Sequence, residues 1–313
     1  MKKKLLSYGI GFLILLVLAA CGQTTTSQQE GESDRLKIVT TYSILYDIVK
    51  NVSGEEADIY SLVPIGADPH EYDPLPEDVK QTTDADLVFY NGLNLEEGGS
   101  WFSRLVETTG KSAEEVFLVS EGVEPIYLES QGLDGEPDPH AWMDVKNGIT
   151  YTENIRDALV EVNPENEDVY VKNAEDYIQQ LEELHNDIQK KMSDIPEEKR
   201  FLITSEGAFK YFGAAYQVET GYIWEINSEN EGSPQQIRDV IDLIRERDVS
   251  ALFLETSIDA RSMEMVSNET NVPIAGEVYT DSLGNEGTPG DTYMKMMESN
   301  ANTIFNGLVN DGR

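Results

Sequence analysis

One stretch sets the frame for everything on either side of it. From Asn163-Pro164-Glu165 to about Met192, apolar or aromatic residues recur at Tyr170, Ala174, Tyr177, Leu181, Leu184 and Ile188. A spacing of three and four gives one helix a single inward face. Asn163 reads as its N-cap, Pro164 and Glu165 as its first turn, and Asp194-Ile195-Pro196 as its stop. At about 1.5 Å per residue such a helix spans on the order of 40 Å, longer than a typical covering helix. It reads as a stiff strut with a separate body of chain at each end. On the N-terminal side short apolar runs at 36–41, 57–63, 86–90 and 116–119 alternate with helical stretches at 44–52, 76–83 and 101–108, and a further helix fills 145–162. On the C-terminal side, strands at 201–204, 218–224, 251–255 and 273–278 alternate with helices starting at 206–211 and filling 234–247, 262–269 and 293–308. Alternation at this spacing argues for parallel sheets with covering helices. The expected fold is therefore α/β: two lobes, 36–162 and 196–313, each with a mainly parallel sheet, joined by a linking helix at 163–195 with a cleft between them.

The first residues describe an address. Met1-Lys2-Lys3-Lys4 is basic, and 10–18 is an apolar core too short and too early to be a stable membrane span. Leu18-Ala19-Ala20-Cys21-Gly22 places small residues at a cleavage site. This arrangement resembles a bacterial lipoprotein signal, which implies removal of residues 1–20 and lipidation of Cys21. Residues 21–35 are polar and structureless by composition, a tether with a root-mean-square reach of roughly 20 Å. Cys21 is the single cysteine, so an internal disulfide and a cysteine-based metal site are both excluded. The formal charge is −36. A surface of that sign repels phosphate backbones, which argues against a nucleic-acid partner.

Only three histidines occur in 313 residues, and two of them share a phrase. Asp68-Pro69-His70-Glu71-Tyr72-Asp73-Pro74 and Asp138-Pro139-His140-Ala141-Trp142-Met143-Asp144 each read Asp-Pro-His, one further residue, then an aromatic, with an acid close behind. Proline fixes its own φ and keeps the preceding residue extended, so each imidazole is presented from a stiff, non-helical loop. That suits a metal ligand, whose ring must point in one direction. Open α/β sheets carry ligand-binding residues in loops beyond the carboxyl ends of their strands. Four such loops here offer a candidate: His70 and His140 from one lobe, Glu206 and Asp281 from the other. Two imidazoles and two carboxylates, the latter able to bind through both oxygens, can give four to six coordination and suit Mn2+, Fe2+ or Zn2+. Each also has an ordinary structural use, Glu206 as an acid at a helix start and Asp281 as a turn or cap residue. His185, inside the long helix and without a partner at metal spacing, is read as a non-ligand.

Five segments together carry a resemblance. They are Gly66-Ala67-Asp68-Pro69-His70-Glu71-Tyr72, Asn91-Gly92-Leu93-Asn94-Leu95-Glu96, Asp138-Pro139-His140-Ala141-Trp142-Met143-Asp144, Thr204-Ser205-Glu206-Gly207-Ala208-Phe209 and Tyr279-Thr280-Asp281-Ser282-Leu283. With them, the chain after residue 36 resembles the metal-binding lipoproteins that serve as solute receptors of bacterial manganese and zinc ABC importers, the cluster A-I type. The resemblance implies that His70, His140, Glu206 and Asp281 are the metal ligands. Zinc receptors of that family commonly have a third histidine where Glu206 stands, and many add a His-rich loop. Here 121–137 holds acids and glycines but no histidine, and Glu206-Gly207-Ala208-Phe209-Lys210-Tyr211 resembles the manganese branch. The implied protein is a monomeric, lipid-anchored receptor on the extracytoplasmic face of the cell membrane. It would bind Mn2+ as transported ligand, with Zn2+ or Fe2+ as alternatives, and deliver it to an ABC permease and its ATPase. Ligand type alone does not invert the Irving–Williams order, so Zn2+ is expected to bind at least as tightly as Mn2+.

Two other classes share parts of this pattern. A metallohydrolase needs an open coordination position for water and a nearby general base. Glu71 would serve as that base only if its side chain faced the ion. A surface adhesin with a structural metal would use the same anchor, but its ion would not exchange with a chelator without unfolding.

Overall fold

The computed structural model describes residues 35–96, 100–129, 132–227 and 231–312. The expected signal, Cys21 and nearly all of the tether lie outside the described residues.

The N-terminal lobe is a four-stranded parallel sheet in the order β2-β1-β3-β4, formed by β1 (Leu36–Thr40), β2 (Ala57–Ser61), β3 (Leu87–Tyr90) and β4 (Val116–Leu118). Leu87, Val88 and Phe89 are buried in succession, as a strand covered on both faces requires. Helix α1 (Ser43–Ser53) packs against this sheet, and α2 (Pro76–Asp84) lies against β1 and beside α3 (Trp101–Thr109). Helix α4 (Val145–Val162) leads to the long helix α5 (Glu167–Ser193), 27 residues in length. The expected start of α5 at Asn163 and Pro164 is corrected by the structure. The Asn163 N–H closes the last turn of α4 on the Leu159 carbonyl at 2.8 Å, so the chain turns through a separate 3-10 segment, Pro164–Asn166, before α5 begins.

The C-terminal lobe comprises β5 (Phe201–Glu206), α6 (Lys210–Tyr216), β6 (Glu219–Trp224), α7 (Pro234–Glu246), β7 (Leu252–Glu255), α8 (Arg261–Thr270), β8 (Ile274–Val278) and α9 (Tyr293–Val309). Its strands form two parallel pairs, β5-β6 and β7-β8. Strands β5 and β7 are neighbours. The Glu255 carboxylate, however, takes the backbone N–H groups of Ser205 (3.1 Å) and Glu206 (2.8 Å), donors that a ladder would otherwise use. The expected helix start at 206–211 is also corrected. Glu206 ends β5 because the β5-β6 pairing persists one residue further, through Gly207 N–H to the Trp224 carbonyl at 3.0 Å. A Cβ on Gly207 would come within 2.7 Å of the Glu225 carbonyl, which explains a glycine directly after the strand.

The strut proves to be embedded. Tyr170, Ala174, Tyr177, Leu181, Leu184 and Ile188 are all buried, and α5 packs against α1 and α4 of one lobe and α6 and α9 of the other. One hydrophobic core runs from Ile38 in β1 through this helix to Leu308 in α9. A smaller one fills the space between the strands of the C-terminal lobe and α7 and α8. Among the described residues, no helix is long and apolar enough to cross a membrane.

Candidate metal centre

His70, His140, Glu206 and Asp281 come together. Each offers one nitrogen or oxygen, these atoms lie within 4.8 Å of one another, and all four residues are buried. Nε2 of His70 and Nε2 of His140 each lie 3.6 Å from Oε1 of Glu206, and His140 Nε2 lies 3.4 Å from Oδ1 of Asp281. Ligands bound to one ion at roughly 2.1 Å stand about 3.0 to 3.4 Å apart, depending on coordination number. These separations are close to that spacing. His70 Nε2, His140 Nε2, Glu206 Oε2 and Asp281 Oδ1 are buried and have no hydrogen-bond partner among the described residues. Buried polar atoms are normally satisfied, so four clustered residues, each with an unpartnered buried nitrogen or oxygen, could together hold a cation.

Each ligand atom is aimed by its own local device. His70 sits in the loop after β2, where its N–H donates to Asp68 Oδ1 at 2.7 Å and the Trp101 indole N–H holds the Pro69 carbonyl at 3.1 Å. His140 ends the long loop after β4. Asp138 Oδ1 accepts both its backbone N–H (3.0 Å) and its ring Nδ1–H (2.9 Å). A carboxylate on Nδ1 fixes the tautomer and leaves the Nε2 lone pair for a metal. The Asn91-to-Glu96 segment braces this loop. The Asn91 side-chain amide donates to the Pro139 carbonyl at 3.0 Å, while Glu96 accepts the N–H groups of Asn91 (2.8 Å) and Gly92 (3.0 Å). Trp142 reaches across the cleft, its indole N–H donating to the Thr280 carbonyl at 3.0 Å, next to Asp281. Glu206 Oε1 accepts the Asn227 N–H at 2.7 Å.

Burial and charge pull these groups apart electrostatically. Burial pushes the Glu206 carboxyl well above its ordinary pKa, and Asp281 adds to that shift. Burial also opposes charge on both imidazoles. It prevails at His70, whose pKa is lowered. At His140 the carboxylates of Asp138 and Glu206 outweigh it, and the pKa rises well above the ordinary histidine value. Without a cation the neighbouring carboxylates therefore favour the protonated form of His140, and a proton there competes with a metal.

Other sequence-based expectations divide. His185 is buried against Tyr216, with Nδ1 3.3 Å from the phenol oxygen, and is not part of the cluster. Glu71 is exposed, which removes the general base that a hydrolase reading required. Sequence reasoning did not single out Asn227, Glu255 or Lys210, which support the ligands. Asn227 and Glu255 lie at the carboxyl ends of β6 and β7, so the same rule that led to Glu206 and Asp281 leads to them as well.

Residues 38–307 match the family described as ZnuA, zinc-uptake complex component A, periplasmic. The chain belongs to this family. Its relatives within the ZnuA family include the metal ABC transporter substrate-binding lipoprotein SsaB of Streptococcus sanguinis, 48% identical over 305 residues, covering 96% of this chain and 99% of SsaB. The manganese ABC transporter substrate-binding lipoprotein PsaA of Streptococcus pneumoniae is 47% identical over 309 residues, covering 98% of this chain and 99% of PsaA. Among solved structures, the Mn-bound periplasmic metal-binding protein of Candidatus Liberibacter asiaticus superposes with a TM-score of 0.79 at 30% identity, covering 88% of this chain and all of that one. The periplasmic zinc-binding protein TroA of Treponema pallidum does so with a TM-score of 0.81 at 31% identity, covering 88% and 99%. The two-lobed α/β architecture with a long central helix is shared with these periplasmic metal-binding proteins. The streptococcal relatives are named as substrate-binding lipoproteins of ABC transporters, and this chain is likewise an extracytoplasmic substrate-binding component, so its buried site serves capture and release, not catalysis.

Proposed function

We propose that this chain captures Mn2+ outside the cytoplasm and hands it to an ABC permease driven by its ATPase, with His70, His140, Glu206 and Asp281 as the ligands. The observation that carries the reading is the convergence of four buried side chains from both lobes, each with a nitrogen or oxygen that has no hydrogen-bond partner among the described residues. Each lobe supplies one half of the donor set, so a bound ion bridges them and the loaded form differs from the empty one. The names of the relatives support manganese. The donor set supports it too, since half of it is carboxylate. Zinc is the second reading, favoured by its place in the Irving–Williams order and by the zinc-binding name of TroA. We further propose that residues 1–20 are a signal and that a lipid on Cys21 anchors a monomer by the tether at 21–35. The lobes are then 36–162 and 196–313, with 163–195 linking them.

Calorimetric titration of metal-free protein with Mn2+ and with Zn2+ tests the assignment, with Glu206→Gln and His140→Ala as controls. The expected result is tight one-to-one binding that both substitutions weaken, with Mn2+ readily withdrawn by a chelator while the protein stays folded. Binding indifferent to both substitutions refutes the ligand set. Reversible binding of Zn2+ with scarcely any of Mn2+ changes the metal and keeps the receptor.

A further inference from the structure

The two Asp-Pro-His phrases use their aspartates alike. One oxygen stays at home, Oδ1 of Asp68 on the His70 N–H at 2.7 Å and Oδ1 of Asp138 on the His140 N–H at 3.0 Å. The other crosses the cleft. Asp68 Oδ2 accepts from the Asn227 side-chain amide at 3.1 Å, and Asp138 Oδ2 lies 3.2 Å from the Lys210 ammonium. Each histidine loop is thereby fastened to the opposite lobe through its own aspartate.

The two fastenings are unequal. The one beside His140 is an ion pair, and Lys210 is itself paired with Glu225. It is backed across the cleft by the Tyr211 hydroxyl on the Asp138 carbonyl at 2.9 Å and by Trp142 on the Thr280 carbonyl at 3.0 Å. The loop carrying His70 crosses through one amide-to-carboxylate bond at Asp68 and, four residues before the histidine, through the Gly66 N–H on the Ser282 hydroxyl at 2.7 Å. A buried pair of opposite charges such as Lys210 and Asp138 attracts through its full Coulombic interaction, which a neutral amide facing a carboxylate lacks. A carboxylate paired with a neutral amide falls short of a charge pair reinforced by two further bonds.

Asn227 stands where these forces meet. Its side-chain oxygen accepts the Trp224 indole N–H at 2.9 Å, its amide holds Asp68, and its backbone N–H holds Glu206 Oε1 at 2.7 Å. One residue therefore orients a carboxylate of the C-terminal lobe directly and a histidine of the N-terminal lobe through Asp68. We propose that Asn227 is the positioning residue that latches the site shut, and that metal leaves when its bond to Asp68 breaks and His70 swings away first, while His140 stays fastened. This inference rests on the reading of the four residues as metal ligands.

The test compares release of Mn2+ to excess EDTA, by stopped flow, from the wild type, Asn227→Ala, Asn227→Asp and the exchanged pair Asp68→Asn with Asn227→Asp. Of the two side-chain bonds lost in Asn227→Ala, the one to Asp68 crosses the cleft, and its loss predicts release about tenfold faster, with association little changed. Asn227→Asp sets two carboxylates face to face and is faster still. The exchanged pair restores one donor and one acceptor while preserving the acceptors for His70 N–H and Trp224 Nε1–H, and returns to within about threefold of wild type. A purely structural role for Asn227 does not predict that rescue. Wild-type release from Asn227→Ala, or an exchanged pair no slower than Asn227→Asp, overturns the latch alone. A wild type that takes up neither Mn2+ nor Zn2+ overturns the receptor reading and the latch with it, and one that takes up Zn2+ alone moves the same release test to Zn2+. Hydrogen exchange on the loaded wild type needs no variant. Amides at 64–73 should exchange faster than those at 136–144, and the reverse order overturns the sequence of release.

Discussion

Replacing Asp138 by Asn is the most informative change to the support of a single ligand. The carboxylate accepts two bonds from His140, at 3.0 Å from the backbone and 2.9 Å from the ring, and its second oxygen faces Lys210 at 3.2 Å. An amide in its place keeps one acceptor but loses the charge that makes the imidazole a strong donor to metal, and turns an N–H toward an ammonium. Loss of such an outer partner weakens metal binding about 10- to 100-fold, or about 1.4–2.7 kcal/mol. The shape of the pH profile is the sharper test. His140 has a raised pKa because Asp138 and Glu206 outweigh its burial, so protons compete with metal at this nitrogen up to that raised value. Below it, wild-type affinity falls about tenfold for each pH unit. Asp138→Asn removes the largest of the raising influences, and its His140 pKa drops. The variant's affinity then stays level to lower pH. The ratio of wild-type to variant affinity is therefore largest on the alkaline side and narrows as the medium is acidified. Competition of Mn2+ against a fluorescent chelator, from about pH 6 upward, reads this directly. A ratio independent of pH, or one widening in acid, refutes the electrostatic role given to Asp138.

Two further predictions address stability and location. Burial raises Asp47 to about 6, against the lowering effect of the Tyr293 N–H it accepts at 2.9 Å. A carboxyl with a raised folded pKa costs stability as pH rises from its unfolded value through about 6, so Asp47→Asn should stabilise by about 2–3 kcal/mol at pH 7 and scarcely at all at pH 4. Thermal melting at the two pH values checks the sign, and equal shifts at both refute it. Cys21→Ala should leave metal affinity unchanged while moving the protein from the membrane fraction to the soluble one. Retention in the membrane fraction shows that Cys21 does not carry the anchor.

The elements were legible wherever local pattern decides structure. Apolar runs such as Leu87-Val88-Phe89 became strands, and the inward residues of 163–195 became the buried face of α5. Reading failed where a neighbour in space overrides local preference. Asn163 has the chemistry of an N-cap, yet its N–H is committed to α4. Glu206 has the chemistry of a helix-start acid, yet partner strand β6 keeps it in β5. The same division holds at the site. His70, His140, Glu206 and Asp281 follow from the rule that strands deliver ligands at their carboxyl ends. Their supports depend on which loop lies opposite, as Asp68 and Asn227 do across 159 positions of chain. Nothing in one sequence discloses that pairing.

The continuous core decides what kind of movement admits an ion. Trp142 and Tyr151 of one lobe, Tyr177 of α5, and Tyr216 and Tyr293 of the other lobe are buried in a single cluster. The Tyr293 hydroxyl also donates to the Trp142 carbonyl at 2.7 Å. Parting the lobes as rigid bodies would wet several of these rings. At about 25 cal/mol per Å2, one aromatic of 150–250 Å2 costs about 4–6 kcal/mol. Three such rings, about 12–18 kcal/mol, match or exceed the whole stability of an ordinary domain, about 5–15 kcal/mol. A single hydrogen bond across the cleft is worth about 1 kcal/mol. Entry and exit of the ion therefore belong to the loops that bear the ligands, with α5 and its aromatic packing as the fixed frame. Under this constraint, a substitution that loosens the α5 packing should lower the melting temperature far more than it changes the rate of metal release, and a substitution in a clasp should do the opposite.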